Sequence, residues 1–262
     1  MASQKGIIKL EGTVGDLSFF KTKDGFQARQ SSGINGDRIR NDPEFARTRE
    51  NGQEFGRAGT AGKLLRQAFR VVLKDATDSR MSNRLTATMM KVLQADATSD
   101  RGQRNVIDGE VGFLQGFDFN IAAKLTTTFF PEFVATIDRA AGKLSIAIPE
   151  FTPGSDVVAP EGSTHCRLVS AAAEIDFEAG EAVTAMAESV DVKLGPTKQA
   201  AFTLDNNVTA ASTKPLFLLL GITFYQSVNN KLYALQNGAF NALTIVKADG
   251  GVAPVAPPVV AA

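Results

Sequence analysis

The sequence has a single histidine, a single cysteine, no tryptophan and two tyrosines in 262 residues. One histidine, His165, excludes any centre that needs two imidazoles. One cysteine, Cys166, excludes an intramolecular disulfide framework and every CxxC metal motif. The two are adjacent in a segment that reads as a strand. Their side chains therefore leave on opposite faces, badly placed to work as nucleophile and base. Without tryptophan, and with little tyrosine, the chain also lacks the stacking groups that sugar and base recognition use.

Long apolar runs are missing too. The longest, from Pro215 to Phe224, is half the roughly 20 residues of a membrane-spanning helix and suits a buried strand, so no membrane span is expected. Residues 1–16 have no apolar core of a secretory signal. The expectation is a chain made in the cytoplasm, reaching the outside of a cell only by lysis or another route. Phosphate motifs are absent as well. The segment Gly56-Arg57-Ala58-Gly59-Thr60-Ala61-Gly62-Lys63 is glycine-rich, but it lacks P-loop spacing and has Leu64 where Ser or Thr would hold magnesium. Its small residues point to close approach of helices or subunits. No cofactor and no small-molecule substrate are expected, and the chain does not read as an enzyme.

What is present is packing material. Apolar residues make up 44% of the chain, including 18 phenylalanines, enough for a real core. Charges balance at 28 basic and 28 acidic, but unevenly along the chain. Residues 1–110 carry 19 Lys/Arg against 14 Asp/Glu, and residues 111–262 carry nine against 14. A bipolar chain of this kind attracts copies of itself head to tail.

Near the N-terminus, Ile7, Ile8, Leu10, Val14, Leu17, Phe19 and Phe20 are strand formers, and Asp24-Gly25 is a turn pair before a return strand at Phe26. Residues 31–42 read as a polar loop. Asn41-Asp42-Pro43-Glu44 is a helix start, with Asp42 as cap and Pro43 in the first turn. Helical periodicity covers residues 45–55, interrupted by Gly52 and Gly56, then about 60–75 and 79–94. These make a small antiparallel helical unit. From residue 113 short strands alternate with turns. They are expected at 113–121, 133–138, 143–148, 167–176, 183–191, 200–205, 216–226, 231–235 and 242–247, with turns at Ala141-Gly142 and Asn229-Asn230. The uncharged tail 250–262 is rich in Pro, Ala and Val and reads as an extended segment or an arm for a neighbouring subunit.

The fold class is therefore α+β: an N-terminal hairpin with a small helical unit, followed by an all-β sandwich or jelly-roll-like domain. Boundaries are expected at 1–104, 105–249 and 250–262.

Two side-chain groups qualify as candidate sites. Glu174, Asp176 and Glu178 alternate, which would line three carboxylates on one strand face and suit a hard cation such as calcium; such a stripe also serves as a solvated face. Arg38, Arg40, Arg47, Arg49, Arg57, Lys63, Arg66 and Arg70 form a basic cluster for assembly or polyanion contact, interleaved with Asp37, Asp42, Glu44, Glu50 and Glu54.

The stretches from Lys5 to Asp16, from Gly36 to Asn51, Glu54-Phe55-Gly56 and Arg101-Gly102-Gln103-Arg104 resemble an uncharacterised protein family of Bacteroidetes-type bacteria. The resemblance is strongest over residues 5–110. It marks that part as a recurring module and implies no catalytic or binding residue.

These features together point to a structural, self-associating subunit of a filament, tube, sheath or virus-like particle, whose partners are copies of itself. The alternatives are a nucleic-acid-associated protein working through the basic 38–70 region and a surface or carbohydrate-binding β-domain protein.

Overall fold

Turn chemistry sets the start of the chain. In the computed structural model, which describes residues 2–30, 36–235 and 239–251, Gly25 takes φ +106° and joins two six-residue strands. These are β3 (Leu17–Thr22) and β4 (Gly25–Gln30). β1 (Ala2–Ser3) and β2 (Gly12–Val14) add the edges, giving an antiparallel sheet in the order β1-β4-β3-β2. Residues 31–35 lie outside the described residues. The expected loop resumes as a short helix, α1 (Gly36–Asn41). The cap at Asp42 forms as expected. Its carboxylate accepts the Glu44 backbone N–H at 3.0 Å, ahead of a 3-10 turn, Pro43–Phe45.

The chain divides into two compact units, Met1–Arg49 and Glu50–Ala262. The division lies well before the expected boundary at 104, and packing explains why. Two long helices follow, α2 (Ala46–Ala68) and α4 (Met81–Gln94). Leu65, Phe69, Leu85, Met89 and Leu93 share one core with Ala171, Ala173, Ile175, Phe217, Leu219, Leu243 and Ile245 of the β region. The helical segment belongs to the larger unit because its apolar stripe is buried there.

Gly52 and Gly56 do not interrupt the helix; α2 runs through both. Each glycine costs up to about 1 kcal/mol in helix propensity, and burial of Ala58, Ala61 and Leu65 on the same helix offsets it. Gly62 has a specific use. A Cβ there would meet Leu85 at 3.6 Å, an ordinary van der Waals contact, so a methyl fits between α2 and α4 but a larger side chain does not. Arg66 reaches Ser82 Oγ at 3.1 Å on the same interface, which makes the pair antiparallel. Gly62→Leu is expected to overpack this contact and cost about 2 kcal/mol in a urea titration, with no change in helix content at low urea. The expected second helix splits. Phe69 breaks it, and α3 (Arg70–Leu73) follows.

The β region has two sheets. The larger is built on two long central strands, β7 (His165–Asp176) and β11 (Leu216–Val228), paired antiparallel. β8 (Glu181–Glu188) and β9 (Val192–Lys193) flank β7, while β12 (Lys231–Ala234) and β13 (Ala242–Asp249) flank β11. The smaller sheet has the order β10-β6-β5, with β5 (Val134–Asp138), β6 (Lys143–Ile148) and β10 (Phe202–Asn207).

Strand alternation sorts the core. On β11, Leu216, Leu218, Leu220, Ile222 and Phe224 pack with Leu144, Ile146 and Ile148 of the small sheet, whereas Phe217 and Leu219 face the helices. The result is three layers: helices, a large sheet and a small sheet. The two-sheet packing matches the sandwich expectation. The helical layer over the outer face of the large sheet was not legible from the pattern.

One expected strand does not form. Residues 113–121 begin with a 3-10 turn, Val111–Leu114, and then kink at Gly116. They run beside β13 through Gly116 N–H to Ile245 O (2.7 Å) and Phe119 N–H to Leu243 O (2.9 Å), as an irregular edge. The tail beyond residue 251, expected to be extended, lies outside the described residues.

Candidate functional site

The carboxylate stripe does not become a cation site. β7 ends at Asp176, so Glu178 falls in the turn beyond it. Asp176 Oδ1 accepts the backbone N–H groups of Ala179 (2.8 Å) and Glu178 (3.0 Å), and Oδ2 pairs with Lys214 at 3.0 Å. Those bonds hold its carboxyl below the ordinary value. Glu174 is buried instead of solvated. Burial opposes its charge, but hydrogen bonds from Thr209 and Ser212, with Lys214 nearby, outweigh that and lower its pKa. Among the described residues, no group of three or more His, Cys, Asp or Glu is placed to hold a metal ion.

Cys166 is fully buried on β7, and burial pushes its thiol up to about 12, far from a usable thiolate. His165 Nδ1 lies 2.9 Å from Thr164 Oγ1, at the opposite end of β7 from Glu174 and Asp176.

The basic cluster is divided between the two units. Arg38, Arg40, Arg47 and Arg49 belong to the first, and Arg57, Lys63, Arg66 and Arg70 to the second. Most of these cations serve structure. Arg38 pairs with Asp42 (3.0 Å) and Glu44 (3.3 Å), and Arg40 pairs with Asp37. Arg49 donates to the carbonyls of Ile39 (2.9 Å) and Asp42 (2.8 Å). Arg57 pins the following loop through the carbonyls of Gly102 and Arg104 and through Gln103 Oε1 at 2.7 Å. Arg66 bonds Gly62 O and Ser82. Lys63 and Arg70 are exposed, with no ion pair or hydrogen bond among the described residues. Carboxylates pair with Arg38 and Arg40, whereas Arg49, Arg57 and Arg66 spend their donors on neutral groups and keep their charge.

The structure does bring Arg57, Lys63 and Glu178 to the wall of one groove in the larger unit, about 560 Å3 in volume. Leu64, Val106 and Phe177 supply its apolar lining, and Thr60, Gln67 and Asn105 add neutral polar groups. Among the described residues, no histidine, cysteine or serine lines it.

The most unusual surface is in the N-terminal unit. Register places Gly12, Val14, Leu17, Phe19, Lys21, Phe26, Ala28 and Gln30 on one face of its sheet, and Thr13, Ser18, Phe20, Thr22, Gln27 and Arg29 on the other. The first face is largely apolar, with Lys21 lying over the Phe26 ring, yet no described residue of Met1–Arg49 is buried. Ile7 is 102% exposed, Ile8 80% and Val14 66%. A sheet of this size normally needs cover on its apolar face. The residues involved were legible as strand formers. Their exposure was not, because periodicity says which residues share a face and nothing about what covers it. In comparisons with protein-family models, curated proteins and solved structures, nothing matches this chain.

Proposed function

We propose that this protein is a structural subunit that assembles with copies of itself into a filament, tube, sheath or virus-like particle, with its N-terminal unit making the inter-subunit contact. The observation that carries this reading is a four-stranded sheet with a largely apolar face in a unit where no described residue is buried. Apolar surface left in water at this density is stabilised by docking. Charge supports a head-to-tail arrangement. Residues 1–49 carry nine Lys/Arg against six Asp/Glu, and residues 50–262 carry 19 against 22. The basic unit of one copy is attracted to the larger acidic unit of the next. Contacts between unlike surfaces propagate into rings or filaments.

Sedimentation velocity over a range of loading concentrations, with negative-stain microscopy, tests this. Wild type is expected to form ordered particles larger than a monomer. The double variant Val14→Asp/Leu17→Asp removes two exposed apolar contacts and adds two charges, and should weaken association about 100-fold or more. A wild-type chain that stays monomeric at the highest concentration sinks the reading.

A further inference from the structure

β8 is an edge strand without the usual protections. It pairs with β7 over all eight residues in unbroken register, and among the described residues no strand pairs with its other edge. Natural sheets block such edges with lysine, proline or a bulge. Between Glu181 and Glu188, β8 reads Ala-Val-Thr-Ala-Met-Ala, with none of these.

The direction of its free groups follows from the ladder. Ser189 N–H bonds Leu168 O (2.9 Å), and Ile175 N–H bonds Pro215 O on the far side of β7. In an antiparallel ladder the hydrogen-bonded pairs alternate. The odd-numbered residues of β8 therefore bond β7, and the backbone groups of Ala182, Thr184 and Met186 point outward. Beside this edge lies a groove of about 140 Å3 lined by Phe69, Val71, Val72, Thr184 and Met186. It has room for a single aliphatic side chain, and Val71 and Met186 remain exposed around it.

We infer that the outer edge of β8, with this groove, accepts residues 5–10 of a second copy as an added strand. Residues 5–10 lie outside every strand of their own sheet. Ile7 and Ile8 are strand formers that their own chain leaves in solvent. In an extended segment their side chains take opposite faces, so one isoleucine enters the groove while the backbone pairs with β8. Lys5 and Lys9 sit on either side of the isoleucine pair, and β8 begins and ends in glutamate. Pairing β8 with itself antiparallel would instead oppose Glu181 with Glu188 of the other copy, a like-charge arrangement. The contact is heterologous, so each copy donates at one surface and accepts at another.

This inference rests on self-assembly, and the test separates the two. Thr184→Pro removes an outward N–H and leaves the β7 ladder intact, so its melting temperature should stay within a few degrees of wild type. Thr184→Lys blocks the same edge by charge if proline disturbs the fold. Ile7→Asp/Ile8→Asp disables the donor. Each variant alone is expected to lose polymers, with association weakened about 100-fold. Mixed one to one, the two should form a dimer and stop there, because one intact donor meets one intact acceptor. Wild-type polymers that persist in both edge variants, or in the isoleucine variant, overturn the inference and leave self-assembly standing. A mixture that stays monomeric, or regrows polymers, overturns it as well. A monomeric wild type removes both proposals.

Discussion

Phe217→Ala is expected to lower the unfolding free energy by about 4 kcal/mol. Phe217 is fully buried on β11 and points toward the helices, in the core shared by α2, α4 and the large sheet. Its ring meets Phe177 edge-on, with centroids 6.3 Å apart at 88°. Truncation removes the transfer energy of the ring, leaves a cavity, and forfeits an aromatic pair worth about 1 kcal/mol. Phe177 is only partly buried, so Phe177→Ala should cost less. Urea unfolding followed by far-UV circular dichroism and by 1-anilinonaphthalene-8-sulfonate binding measures both. The same experiment tests the shared core. If helices and sheet are one cooperative body, the two probes move together in the variant. A loss under about 1 kcal/mol, or a helical signal that melts separately from the sheet, would show that Phe217 does not join the layers.

The second large effect belongs to Asp96, at the end of α4. Its carboxylate is buried and accepts four hydrogen bonds: Thr98 N–H at 2.8 Å, Thr98 Oγ1 at 2.9 Å, Ser99 N–H at 3.0 Å and Asn105 N–H at 3.1 Å. The loop from 96 to 105 is wound around this one anion, and residues 105–107 then line the groove against α2. Burial opposes the charge, but hydrogen bonds from Ser99 and Thr98 outweigh it and hold the carboxyl well below the ordinary 3.8. Asp96→Asn puts an amide N–H where a donor needs an acceptor, and is expected to cost about 3 kcal/mol near neutral pH.

The pH dependence follows from linkage. Because the folded pKa is lowered, the unfolded chain takes up the proton first as pH falls. The stabilisation is therefore complete above about pH 4 and disappears below it as the pH approaches the folded-state value. Asp78, Asp176 and Glu174 are shifted in the same direction and steepen the acid limb. Stability measured between pH 5 and pH 2 should fall less steeply in Asp96→Asn than in wild type. Equal slopes would mean that Asp96 carries no such linkage.

Much of the fold was legible because its signals are local. The turn at Asn229-Asn230 is one case: both residues take positive φ, at 50° and 60°, and Val228 pairs with Lys231 across it. Leu144, Ile146 and Ile148 alternate in sequence and are all buried. The helix start at Asp42-Pro43 formed where capping chemistry places it. Other readings depended on distant partners. Phe113, Phe117 and Phe119 look like strand residues, but Val111–Leu114 turns and Gly116 kinks before the segment meets β13. Glu174 looked solvated by alternation. It is buried because residues 209–214 fold over it and supply its hydrogen bonds. The basic cluster looked continuous in sequence, yet Arg57 is occupied by a loop 45 residues further on.

The α+β class, most element positions and the scarcity of histidine, cysteine, tyrosine and tryptophan could be read directly from the sequence, since composition, turn residues and periodicity act within a few neighbours along the chain. The tertiary structure alone decided that the helices share a core with the large sheet, which carboxylates are buried, and which apolar residues of the first 49 remain in water. Those outcomes depend on contacts between residues tens to hundreds of positions apart. Burial is a property of what arrives opposite a side chain, and no local pattern records the arrival.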